Sequence, residues 1–262
     1  MSSSIPASTT CGGWMRRYRH VPAPRLRLMC FAHAGGSAAA FRAWAGLLPH
    51  DVELLAVQYP GRQDRIGEPC MDSMEPMAVA IAGALLPFLD RPVAFFGHSL
   101  GAAVAYEVAL RLEQAHGTGL AHLFVSGCSA PSRPRPSKEL HLLDDDGLLE
   151  ALGALGGMDR EVLADHDLRS LVLPALRADV RIAETYRATP GSRTGAPVTA
   201  YHGDTDASVG ETDVLAWSEH TAADFAAIPF AGGHFYLNDR APELVADVVA
   251  RLDHVGRPGQ AA

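Results

Sequence analysis

Residues 93–106 read Val93-Ala94-Phe95-Phe96-Gly97-His98-Ser99-Leu100-Gly101-Ala102-Ala103-Val104-Ala105-Tyr106. An apolar run, then G-x-S-x-G, then a stretch of small residues describes a buried strand that turns into a helix at Ser99. A turn this sharp holds its serine in a strained backbone conformation with the hydroxyl presented outward. The neighbouring backbone passes so close that the residues two before and two after need to lack a side chain, and Gly97 and Gly101 meet that demand. The helix N-terminus beneath favours negative charge developing at this point. Ser99 is therefore the candidate nucleophile. His98 points away from it on strand geometry and is expected to be structural.

Working outward, short apolar runs alternate with helical patterns. Leu26–Ala32, Val52–Val57, Val93–Phe96, His122–Ser126, Val198–His202 and Phe225–Phe230 each read as a strand, most of them apolar along their whole length, as strands covered on both faces are. Between them, Met74 to Leu89 places Met74, Met77, Ile81, Leu85 and Phe88 near one helical face. Leu100 to Gln114 and Pro242 to Leu252 read as helices too. The alternation predicts an α/β fold: a mainly parallel central sheet with helices on both faces. One segment departs from the rhythm. Pro and Ser cluster at 129–136, an amphipathic helix with Leu148, Leu149, Leu152 and Leu155 runs to Gly156-Gly157, and a second helix runs from about Asp165 to Tyr186. This excursion, about 129–195, is expected to be a helical lid inserted over one sheet edge. The domain organisation expected is a flexible N-terminal segment at 1–24, one domain at 25–256 that includes the lid, and a C-terminal tail at 257–262.

A serine hydroxyl needs a base. In a strand–elbow–helix architecture the base is a histidine after the last strand, with an acid between serine and histidine in chain order. His234, after the apolar run Phe225–Phe230 and Gly232-Gly233, has that place among twelve histidines. For the acid, Gly203-Asp204-Thr205-Asp206 follows the penultimate strand. Asp206 is the choice, because the longer loop clears the strand end and reaches back to His234; Asp204 then serves the turn. Acyl transfer also needs oxyanion donors. One is the backbone N–H of Leu100; the other is assigned to Ala34, in the loop His33-Ala34-Gly35-Gly36-Ser37 after the first of the predicted strands.

Triad order, elbow and oxyanion loop together describe an α/β-hydrolase. Four motifs go further: Phe31-Ala32-His33-Ala34-Gly35-Gly36-Ser37-Ala38, Gln58-Tyr59-Pro60-Gly61-Arg62, Gly97-His98-Ser99-Leu100-Gly101 and Gly233-His234-Phe235-Tyr236-Leu237. In this order they closely resemble the type II thioesterases of polyketide and nonribosomal peptide synthesis, from about Leu26 to Leu252. The resemblance implies an enzyme that hydrolyses acyl or aminoacyl thioesters on the phosphopantetheine arm of carrier proteins, clearing stalled or wrongly loaded units. It implies Ser99, Asp206 and His234 as triad, Ala34 and Leu100 as oxyanion donors, no metal or other cofactor, and acyl or peptidyl carrier domains as partners. Arg62, Arg133 and Arg135 are noted as positive charges that would meet an acidic carrier or its phosphate if they are not plain surface residues.

Composition bounds the alternatives. The 262 residues are 48% hydrophobic and 20% charged, ample for a folded core. The formal charge of −8 argues against a nucleic-acid-binding body. Residues 1–50 nonetheless hold six arginines and no acid, a basic leading edge. No apolar run reaches the length of a membrane span, and the polar N-terminus lacks a signal peptide's apolar region. Four scattered cysteines include no C-x-x-C pair, so a disulfide framework or zinc site is not expected. The expectation is a cytoplasmic monomer. Two other readings compete: a general carboxylesterase or acyl-CoA hydrolase with the same triad, and a catalytically inactive hydrolase fold used as a binding module. An oxyanion loop reading H-A-G-G, not H-G-G-G, counts against the esterase. The presence of every triad candidate counts against the inactive module.

Overall fold

The computed structural model describes residues 9–11, 13–133, 139–153, 165–253 and 255. Its centre is an eight-stranded sheet: β1 (Thr9–Cys11), β2 (Met15–Arg19), β3 (Leu26–Phe31), β4 (Val52–Val57), β5 (Val93–His98), β6 (His122–Ser126), β7 (Val198–Gly203) and β8 (Phe225–Phe230). The order across the sheet is β1-β2-β4-β3-β5-β6-β7-β8. β2 runs antiparallel to β1 and β4, and the pairs from β3–β4 to β7–β8 are parallel. Strands β3 to β7 are buried along their whole length, which is why they read as unbroken apolar runs.

Helices α1 (Met74–Leu85), α2 (Leu100–His116), α3 (Asp145–Gly153), α4 (His166–Thr185), α5 (Glu211–Leu215), α6 (Tyr236–Asp239) and α7 (Ala241–Arg251) complete the described chain, together with several 3-10 turns. α1 stops short of the predicted Leu89 and passes into a 3-10 turn at Leu86–Phe88. Pro87 has no N–H to continue the α-helical ladder. α2 runs two residues past the prediction to Gly117, whose left-handed conformation (φ 63°) returns its N–H to the carbonyls of Glu113 and Leu112. The main core is continuous through the sheet. Phe96, for instance, packs edge-on to Trp44 with centroids 4.7 Å apart and also meets Phe41. Each such fully buried ring contributes about 1.5–3 kcal/mol.

The N-terminal segment departs from expectation. Residues 15–19 are a sheet strand, not a loose lead-in, with Met15 and Tyr18 buried. The arginines that gave this stretch its basic, solvated look find partners within the fold. Arg16 pairs with Asp64 at 2.6 Å, Arg17 with the buried Glu53 at 3.0 Å, and Arg19 donates to the carbonyls of Ala45 and Leu48. Arg25 and Arg27 are likewise paired, with Asp51 and Glu53. The basic leading edge is thus largely neutralised by acids that lie elsewhere in the chain.

Between β6 and β7 the chain makes the expected helical excursion. α4 opens on Asp165, whose carboxylate caps the N–H groups of Asp167 and Leu168. Leu148, Leu149, Leu173, Leu176 and Val180 form a small apolar cluster of their own, separate from the main core. The Gly156-Gly157 stop, Arg135 and the tail at 257–262 lie outside the described residues. Among the described residues, no helix is long and apolar enough to cross a membrane.

Candidate active site

β5 ends at His98 and α2 begins at Leu100, so Ser99 alone makes the turn. Its backbone sits at φ 55°, ψ −119°, a region a side-chain-bearing residue adopts at a cost of about 1–3 kcal/mol. Surrounding structure holds it there: Ser99 N–H donates to the Ser126 carbonyl of β6 at 2.7 Å, and Ala102 N–H donates to the Ser99 carbonyl at 3.0 Å. A Cβ on Gly97 would collide with the carbonyl of Gly101, and one on Gly101 with the carbonyls of Phe31 and Ala32. The second collision has a positive counterpart. Because Gly101 is bare, the end of β3 lies directly against the start of α2, and the loop that continues through His33 and Ala34 leaves from beside Gly101.

His234 and Asp206 meet as the sequence predicts. The ring nitrogen Nδ1 lies 2.7 Å from Asp206 Oδ2, and neither side chain is exposed by more than 7%. A carboxylate only accepts, so Nδ1 carries the proton of this hydrogen bond. Asp204 takes the turn role, accepting Gly232 N–H at 2.9 Å. The two loops come together through another bare backbone position: a Cβ on Gly203 would strike the carbonyls of Gly232 and Gly233. The His234 ring sits over Gly127, the residue after Ser126, and 5.0 Å from the ring of His98, so it stands beside the elbow.

Ser208 is a participant that sequence reasoning missed. Its hydroxyl donates to Asp206 Oδ1 at 2.6 Å and lies 3.1 Å from His234 Nδ1, and its N–H also donates to Oδ1 at 2.8 Å. The D-x-S spacing, which favours a side-chain turn, was the available signal. Burial alone would raise the Asp206 carboxyl. Hydrogen bonds from His234 and Ser208 outweigh it and hold the group below the ordinary carboxylate range. The acid is therefore ionised wherever the histidine needs it.

Two further histidines crowd His234. His98 is fully buried, with Nδ1 2.9 Å from Ser126 Oγ, which in turn bonds Tyr236 OH at 2.6 Å. Burial, then the proximity of His234 and His33, pushes its pKa well below the usual histidine value. His33, edge-on to His98 and Phe235, is lowered to about 4 by desolvation, with His234 and Arg62 adding to it. Both rings stay neutral near pH 7 and pack the site without adding charge to it.

Arg62 is not a surface charge available to a carrier: it is buried and paired with Asp179 of α4. Arg133, half exposed, is paired with Glu219. Among the described residues, no group of three or more His, Cys, Asp or Glu side chains is placed to hold a metal ion.

The arrangement, a strained serine at a helix N-terminus beside a buried His–Asp pair, suits acyl transfer, and comparison with known proteins agrees. The thioesterase domain family model matches residues 26–252. The chain is similar to "Thioesterase PikA5" of Streptomyces venezuelae, 44% identical over 248 residues covering 94% of this chain and 88% of that protein. It is 34% identical to "Gramicidin S biosynthesis protein GrsT" of Aneurinibacillus migulanus over 236 residues, 90% of this chain and 92% of that one. Among solved structures, the type II thioesterase BorB from the borrelidin biosynthetic cluster matches with a TM-score of 0.86 at 41% identity, covering 93% of this chain and 100% of that one. The chain thus belongs to the thioesterase domain family, among the type II thioesterases of polyketide and nonribosomal peptide synthesis.

Proposed function

We propose that this thioesterase releases acyl or aminoacyl groups from the phosphopantetheine arm of carrier domains by a Ser99–His234–Asp206 acyl-enzyme mechanism. The observation that carries the reading is the buried 2.7 Å His234–Asp206 pair standing beside a serine held at positive φ. Ser99 Oγ attacks the thioester carbonyl carbon while His234 Nε2 takes its proton; Asp206 keeps the Nδ1 proton in place and stabilises the imidazolium. The N–H groups of Leu100 and Ala34 receive the oxyanion, with the positive end of α2 behind them. The intermediate collapses as the C–S bond breaks, and the pantetheine sulfur leaves with the proton from His234. Water then gives a proton to His234 and attacks the acyl-serine, and Ser99 regains its proton as the free acid departs. Nucleophile, base, orienting acid and donors all come from the chain, so the reaction calls for no cofactor. A monomer working in the cytoplasm, where carrier-bound intermediates are made, satisfies these needs.

The test uses an acyl-carrier protein and an acyl-pantetheine thioester, each read by mass spectrometry, against a matched oxygen ester. Ser99→Ala is expected to lower kcat by at least about 10⁴-fold with the melting temperature retained, and to abolish labelling by a serine-directed fluorophosphonate. Activity within tenfold of the parent would place the nucleophile elsewhere. Wide preference for the oxygen ester would favour the esterase reading, and a parent chain that takes no fluorophosphonate would favour the inactive binding module.

A further inference from the structure

Arg62 and Asp179 lie 117 positions apart, on the loop after β4 and in the second half of α4, yet both are buried and they meet fork to fork. Nη1 reaches Oδ2 at 2.5 Å and Nη2 reaches Oδ1 at 2.9 Å. The same pair grips the loop assigned to the oxyanion. Asp179 Oδ2 also accepts Gly35 N–H at 2.7 Å, and Arg62 Nη1 also donates to the Gly36 carbonyl at 3.1 Å. α4 presses on this loop directly as well: a Cβ on Gly35, which sits at φ 75°, would strike Leu176, and the Ala34 side chain packs on the cluster of Leu148, Leu149, Leu173, Leu176 and Val180. On its other flank the loop is held by Tyr59 OH donating to the Ala32 carbonyl at 3.3 Å. Ala34 therefore lies between a fixed point on the sheet and a fixed point on α4.

We infer that Asp179 is a positioning residue for the oxyanion hole: seated α4 sets the direction of the Ala34 N–H through the Gly35 peptide, so the helical excursion is part of the catalytic machinery and not only a roof over it. The inference rests on the proposed role of Ala34. The sign of the charge effect separates geometry from electrostatics. Removing the Asp179 charge leaves the Arg62 cation unopposed near the site, and acting through space that cation would favour an oxyanion. A loss of rate on neutralising Asp179 therefore reports a misplaced donor.

The experiment takes the full chain as Asp179→Asn and, as a milder change, Arg62→Lys, which keeps a charge but loses the fork. Readouts are kcat and KM on an acyl-pantetheine thioester, affinity for an acyl trifluoromethyl ketone that forms an oxyanion on Ser99, and melting temperature. Asp179→Asn is expected to lower kcat by about 10²-fold, the loss typical of one oxyanion donor, with KM within about threefold and ketone affinity falling in parallel. Arg62→Lys is expected to lose about tenfold in the same pattern, and it carries the test if Asp179→Asn does not fold. Variants that melt lower yet keep kcat and ketone affinity within about twofold of the parent would overturn the inference, as would a rise in kcat. If the parent chain neither hydrolyses the thioester nor binds the ketone, the proposed function itself fails; if the parent does both and the variants match it, the positioning role alone fails.

Discussion

The elbow and the helical excursion are both rich in buried contacts, but they are held by different means. Around Ser99 the constraint is backbone against backbone: two glycines pressed by carbonyl groups, an N–H bonded across to β6, and a helix that begins one residue after a fully buried strand. Over α3 and most of α4 the constraint is side chain against side chain, a five-residue apolar cluster and one buried ion pair that reaches back to the β3 and β4 loops, and only near its end does α4 join the main core, through Ile182. Backbone contact inside a main core can yield only if the domain unfolds. A small satellite cluster can open by itself. Ser99 and the His–Asp pair therefore belong to the rigid body, while Ala34, the proposed oxyanion donor, stands where the two regions meet.

Four experiments would break or sharpen that contrast. The largest effect is expected inside the rigid half. Asp206→Asn should cost about 10⁴-fold in kcat, because an amide no longer enforces a proton on Nδ1, whereas Asp204→Asn, a turn change, should stay within a few-fold. Steady-state rates on one thioester decide it, and the reverse ranking would exchange their roles. Next comes a matched pair of fully buried leucines. Leu123→Ala in β6 should lower global stability by about 3–4 kcal/mol in denaturant titrations, as deletions in a close-packed core do. Leu148→Ala in α3 should lower it by less than about 1 kcal/mol while hydrogen exchange speeds up across α3, since the satellite cluster opens locally. Equal global losses would show one cooperative body and erase the distinction.

Gly203→Ala is expected to have a smaller effect on rate, about 10²-fold, by pushing the carbonyls of Gly232 and Gly233 and so displacing His234 from the elbow. Fluorophosphonate labelling of Ser99 should slow in step with turnover. The smallest effect concerns pH. His33 is neutral in the fold with a value lowered to about 4 from the usual 6.5, so between these values the unfolded chain binds the proton and the folded chain does not. Its contribution is complete above pH 6.5 and is lost as pH falls toward 4. His33→Gln should flatten the stability–pH slope in that window by up to about 1.4 kcal/mol per pH unit, measured by denaturant unfolding at pH 4.5 and 6.5.

Legibility followed burial. β3 to β7 could be read from the chain because strands covered on both faces have no polar positions to confuse the pattern. β2 could not: Arg16, Arg17 and Arg19 in Met15-Arg16-Arg17-Tyr18-Arg19 look solvated until Asp64, Glu53 and two carbonyls are brought to them by folding. Gln58-Tyr59-Pro60-Gly61-Arg62 was legible as a motif but not as a contact, since nothing local to Arg62 announces a carboxylate more than a hundred residues away. Ser208 was within reach of local reasoning through its spacing from Asp206, but its bond to His234 was not.

By itself the sequence determined the class of the fold and the chemistry at its centre. The strand–Gly97-His98-Ser99-Leu100-Gly101–helix junction is a local object, dictated by which residues tolerate close backbone approach, and the apolar runs around it dictate the sheet. Only tertiary structure decided that Ser208 joins the His234–Asp206 pair, where Arg16, Arg17, Arg19, Arg25 and Arg27 find partners, and that α4 is tied to the loop of Ala34 through Asp179. These are meetings between groups distant along the chain. Whether a charge is exposed, paired or buried depends on what the fold sets beside it, and that information is not carried by any short stretch of residues.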